Sequence, residues 1–177
     1  MKILAGVFAI AMLAPAAALK FTAPEGWVSK TPSSSMRLAD FTLPKVAGDA
    51  EDATATLYFF GGTGGSVQAN LDRWIGQMTQ PNGGPSKDTA KTTTLASATG
   101  LKITLVDVSG TYVAEVTPGS AERFNKPGFR QLAAVVETPG GPHFVKVVGP
   151  AKTVAKWEAS VSSFLKSLAW VTPASGF

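Results

Sequence analysis

The chain has 177 residues, of which 45% are hydrophobic and 16% charged, a formal net charge of +4 and no cysteine. The missing cysteine excludes disulfides, thiolate metal sites, a cysteine nucleophile and a lipidated cysteine anchor, and the 16 basic residues are too dispersed for a nucleic-acid or lipid-headgroup footprint. Abundant Gly, Ala, Thr and Val with low charge suit a packed α/β or α+β domain and not a disordered chain.

At the amino end, Lys2 precedes an apolar run over residues 3–13, and Pro15, Ala16, Ala17 and Ala18 place small residues before Leu19. This pattern predicts a signal peptide over residues 1–18 and an exported protein, periplasmic or extracellular. A membrane-spanning helix needs about 20 apolar residues, so no stable membrane anchor is expected after cleavage. Residues 19–177 are expected to form one globular domain, at a length where folding buries about 70% of the unfolded surface.

Residues 36–43 alternate imperfectly and end at Pro44, which suits a strand partly covered on both faces. A polar connection with Gly48, Asp49, Glu51 and Asp52 leads to a second strand over 55–60, giving an antiparallel pair. The run Gly61-Gly62-Thr63-Gly64-Gly65-Ser66 then precedes a helix whose apolar stripe is Val67, Leu71, Trp74, Ile75 and Met78, with Ser66 as N-cap. Residues 81–85 stop that helix. Strands follow over 92–98 and 101–108 with Gly100 between them, and 112–116 extends the sheet. Residues 117–128 have the composition of a surface loop, and 129–137 with 143–148 read as a hairpin. Pro150 suits the first turn of a final helix with the stripe Val154, Trp157, Val161, Phe164 and Leu168. The order predicts an α+β fold, an antiparallel sheet of about six to seven strands flanked by two main helices as an α/β/α sandwich.

Strand, glycine turn and helix amino end form a common anion-binding arrangement, because glycine allows positive φ and the first helical N–H groups are unpaired. The run fails both nucleotide fingerprints: Val67 stands where a third glycine belongs, and no Lys-Ser/Thr pair follows Gly65. Two readings stand side by side. In one the turn is purely structural. In the other Gly62, Gly64, Gly65 and Ser66, with a polar stripe of Asn70, Arg73 and Gln77 along the helix, bind a carboxylate, a sugar or a partner backbone.

Other chemistry is sparse. His143, the single histidine, enters a strand after Pro142, with no G-x-S-x-G elbow to join it in a triad and too few partners for a zinc site. Asp49, Glu51 and Asp52 lack EF-hand spacing and read as a solvated loop. Trp27, Trp74 and Trp170 offer stacking surfaces, with Trp74 on the helix core stripe. No catalytic residue, metal ligand or cofactor is assigned.

Residues 58–77, from Tyr58-Phe59-Phe60-Gly61-Gly62 to Arg73-Trp74-Ile75-Gly76-Gln77, together with Pro32-Ser33-Ser34-Ser35-Met36-Arg37, Val108-Ser109-Gly110-Thr111-Tyr112, Ala133-Ala134-Val135-Val136-Glu137 and Phe144-Val145-Lys146-Val147-Val148-Gly149-Pro150, resemble a family of exported bacterial proteins of unknown function. The element order is also similar to the fold shared by the photosystem extrinsic subunit PsbP and a eukaryotic Ran-binding import factor. Both relatives act by binding proteins, but a shared fold does not transfer function, and none of their functional residues is carried over. The resulting expectation is an exported, non-enzymatic binding or accessory domain for an unknown protein or small polar ligand, with Arg73 anchoring an anionic or carbonyl group and Asn70 and Gln77 orienting it. One rival is a hydrolase or sugar-active enzyme whose carboxylates converge only in the fold. Another places the partner surface on the loop 118–128.

Overall fold

The computed structural model describes residues 18–172. Of the expected signal segment only Ala18 falls within them. The strands are β1 (Ala18–Lys20), β2 (Val28–Lys30), β3 (Arg37–Leu43), β4 (Ala53–Phe59), β5 (Met78–Thr79), β6 (Lys91–Ala96), β7 (Lys102–Tyr112), β8 (Lys126–Val136), β9 (His143–Pro150) and β10 (Ala169–Val171), and the helices are α1 (Val67–Ile75) and α2 (Ala151–Ser167). Eight strands form one antiparallel sheet in the order β2-β3-β4-β9-β8-β7-β5, with β6 also pairing with β7, and β1 pairs with β10 separately. The α+β class with a large antiparallel sheet is as expected. The sheet exceeds the expected strand count because β2 and β5 are too short to carry a periodic signal.

Alternation within the strands defines the two faces. Ala39, Phe41 and Leu43 of β3, Ala55 and Leu57 of β4, Leu132 and Ala134 of β8, and Val145 and Val147 of β9 meet Val154, Val161, Phe164 and Leu165 of α2 in the main core. Burying each such large side chain contributes about 1.5–3 kcal/mol, which explains why the stripe on α2 suffices to dock it. An aromatic cluster closes one end: Trp27 lies 5.4 Å from Phe41 and 5.3 Å from Phe164 between ring centroids. Residues 131–136 of β8 are buried on both faces, which accounts for their nearly unbroken apolar run.

On the opposite face α1 covers only part of the sheet, seating Leu71 and Trp74 on Val106, Ala133, Val135 and Phe144. The helix is shorter than its stripe predicts. Gly76 caps it, and Met78 joins β5, paired with Tyr112 of β7. Glycine is a poor helix former, and the sheet edge gives Met78 both backbone partners and burial, so an apolar side chain satisfied either way misleads the periodicity. Strand β7 runs past the expected end at Val108 to Tyr112, with a register shift against β8 between Gly110 and Tyr112, while beyond Tyr112 only an isolated bridge between Glu115 and Arg123 remains of the expected 112–116 extension. Lys126, Pro127 and Gly128, expected in a loop, begin β8.

Candidate functional site

The glycine turn is built to pack. Gly61, Gly62 and Gly65 have φ of 64°, 84° and 80°. Gly64 has no such φ but no room either: a Cβ there would overlap the Phe144 ring. Gly62 backs onto Gly141 of the β8–β9 hairpin. Ser66 is the N-cap as predicted, its Oγ accepting from the Ala69 N–H at 3.2 Å. Asn70 departs from the expected binding stripe. Its side chain is buried, and Nδ2 donates to the carbonyls of Gly64 and Ser66, both at 2.8 Å, tying the turn to the helix. Gln77 departs as well, since it follows the cap residue Gly76 and is not helical. The seven candidate residues therefore divide. Gly62, Gly64, Gly65, Ser66 and Asn70 hold the backbone, while Arg73 and Gln77 face a groove.

That groove, of about 970 Å³, lies on the sheet face that α1 leaves open, between the carboxyl end of α1 and the segment that follows β7. Antiparallel register sets its floor: Thr56 and Ala133 flank Lys146 across β4, β9 and β8, while Tyr58 and Val135 flank Phe144 one row away. Lys146 donates from Nζ to Gln77 Oε1 at 2.6 Å and to the Tyr112 hydroxyl at 3.0 Å. Arg73 donates to Asn70 Oδ1 at 2.7 Å, so the buried asparagine joins the turn to the groove by orienting this guanidinium. Pro118, Arg123, Phe124 and Lys126 form the far wall. The helix-end residues and the loop expected as a rival surface thus line one cavity.

The charge in the groove is unbalanced. Its lining carries six cationic residues and four carboxylates. Arg37 pairs with Asp40 at 3.0 Å, Lys126 with Glu51 at 2.6 Å and Arg123 with Glu115 at 3.5 Å. Thr56 also donates to Asp40, and Asp52 accepts the Lys45 N–H. Arg73 and Lys146 have no carboxylate partner among the described residues. Burial, reinforced by the positive charges of Arg73 and Arg37, lowers the Lys146 ammonium from 10.5 to about 7. Burial, with a contribution from Tyr58, pushes the Tyr112 phenol up to about 12, so it stays protonated beside the lysine.

Lys146, Tyr112, Tyr58 and Arg37 were not among the sequence candidates. Lys146 alone had left a trace: a single charge at the centre of the apolar strand Phe144-Val145-Lys146-Val147-Val148. His143 is buried away from the groove lining, stacked on Phe59 at 4.4 Å, with Nδ1 3.1 Å from the Gly141 carbonyl. Burial lowers its pKa, partly opposed by that backbone bond. Asp49 is not merely solvated: its Oδ2 accepts from Thr153 N at 3.0 Å and from Thr153 Oγ1 at 2.6 Å. Among the described residues no group of three His, Asp or Glu could hold a metal ion, and no helix is long and apolar enough to cross a membrane.

No family model matches the chain, and no curated protein matches it. Among solved structures it is similar to PA94 from Pseudomonas aeruginosa, a protein of unknown function, at 11% sequence identity and a TM-score of 0.51, over 90% of this chain and 100% of that one. This likeness is one of fold alone.

Proposed function

We propose that this protein is an exported, non-enzymatic binding domain that takes a small anionic ligand in the groove on the open face of its sheet. The observation that carries this reading is the pair Arg73 and Lys146, an exposed guanidinium and a half-buried ammonium lining one groove, neither with a carboxylate counterion among the described residues. Withdrawing the Lys146 charge from water beside a second cation is unfavourable unless an anion completes the site. Arg73 supplies the anchoring guanidinium, and Gln77 with Tyr112 positions the ammonium. The groove volume matches that of small-molecule sites, and Tyr58, Phe60 and Phe124 give it apolar surface for the body of the ligand. The four carboxylates of the lining are engaged by cations or a backbone N–H, which supports recognition over carboxylate-driven hydrolysis. Export rests on the amino-terminal pattern and on the resemblance to an exported family.

The test is a protein-observed NMR titration with benzoate, with inorganic phosphate in parallel. Benzoate is expected to shift amides around Arg73, Gln77 and Lys146. Loss of a charge-assisted hydrogen bond costs about 1.5–3 kcal/mol, so the Arg73→Ala, Gln77→Ala variant should bind at least about tenfold more weakly. A folded double variant that titrates like the parent would overturn the proposal.

A further inference from the structure

We infer that Lys146 is a nucleophilic amine that captures an anionic aldehyde or 2-oxo acid as a reversible imine, with Arg73 holding the acid group of the ligand. This rests on the groove being the ligand site and adds the chemical class. Two of the Lys146 Nζ hydrogens are committed, one to Gln77 Oε1 and one to the Tyr112 hydroxyl. The remaining valence position holds a third proton in the charged form and a lone pair in the neutral form. Lys126, in the same lining, is ion-paired with Glu51. Lys146 has the opposite surroundings: Arg73 in the last turn of α1 and Arg37 on β3 oppose its charge, and Asp40, the acid of its row, is taken by Arg37 and Thr56. Tyr58 and Tyr112 are the remaining titratable groups beside it. A lysine desolvated next to other cations keeps its free base at neutral pH, which is the condition for amine nucleophiles.

The chemistry balances without a further reagent. The Nζ lone pair attacks the carbonyl carbon, the carbonyl π electrons move to oxygen, and transfer of a proton from nitrogen to that oxygen gives the carbinolamine. Loss of the hydroxyl with a proton as water leaves the C=N bond, so one amine and one carbonyl give one imine and one water. Hydrolysis reverses each step. Tyr112 and Gln77 act as positioning residues, since both only accept from the nitrogen.

The experiment exposes the full chain to limiting pyridoxal 5′-phosphate or glyoxylate near neutral pH, reduces with borohydride and maps the adduct by mass spectrometry, with benzaldehyde as the neutral control. Each pKa unit of depression gives about tenfold more free amine, so Lys146 should carry at least about ten times the label of any other lysine. That preference should fall in Arg73→Ala and be smaller with benzaldehyde, which gains from the free amine but not from the guanidinium. Label spread evenly over the lysines, or a clean Lys146, overturns the inference even where benzoate still shifts the groove amides and ligand binding survives. If benzoate also leaves those amides unmoved, the groove reading fails with it. Because the mapping is done on the unmodified chain, it does not depend on any variant folding.

Discussion

Gly64 shows how a single missing side chain holds two parts of the fold together. A Cβ at this position would enter the Phe144 ring, the same ring that Trp74 meets edge-on with centroids 6.1 Å apart. Gly64→Ala therefore forces the turn off the sheet, and overpacking of this kind costs about 1–3 kcal/mol. Urea denaturation should show that loss. Gly61 has open space at its Cβ position but a φ of 64°, so Gly61→Ala should cost only about 1 kcal/mol, from backbone strain. The turn and its Ser66 cap were legible because their causes lie within a few residues. The requirement at Gly64 was not, because its cause is an aromatic residue on a strand far along the chain. Lys146 lies between these cases: its oddity in an apolar strand is written in the sequence, while Arg73, Gln77 and Tyr112 meet it only after folding.

At the level of elements, α2 begins without a capping side chain of its own, since Pro150 occupies the N-cap position. Asp49, from the β3–β4 connection, takes over by accepting from the backbone and hydroxyl of Thr153 in the first turn, and the Val46 N–H donates to the same hydroxyl. A carboxylate there also meets the positive end of the helix dipole. Asp49→Ala should destabilise the domain by about 1–2 kcal/mol in urea denaturation, the usual cost of a lost cap. Thr153 lies 104 residues from Asp49, and Lys126 lies 75 residues from Glu51, so an acidic connection that reads locally as solvated is in fact stitched to two distant elements. Long elements were read well for the converse reason. The α2 stripe and the β8–β9 hairpin carry their periodicity within the element, whereas β5 exists only because β7 lends it an edge.

Across the whole molecule, two bases held away from water, one on each side of the region around β9, make stability depend on pH in one direction. His143 is buried between Phe59 and Trp170, and its folded pKa lies below 6.5. As pH falls through 6.5 the unfolded chain takes that proton first, so stability is lost on the acid side. Lys146 continues the trend upward: its folded value is about 7 against 10.5 in the unfolded chain. Between those values the unfolded state binds the extra proton and each rise in pH favours the fold. Below about 7 both states are charged, and the full cost of enclosing the ammonium near Arg73 and Arg37 is present. Lys146→Met removes that cost. Calorimetric unfolding across pH should therefore show the variant more stable than the parent at and below neutrality, with the gap closing by up to about 1.4 kcal/mol per pH unit between about 7 and 10.5. His143→Phe should flatten only the limb below 6.5 and leave the upper window intact. Parallel curves for Lys146→Met and the parent through the upper window would mean that the ammonium is solvated in the folded protein, and the groove would then lack the unsatisfied charge that ligand binding requires.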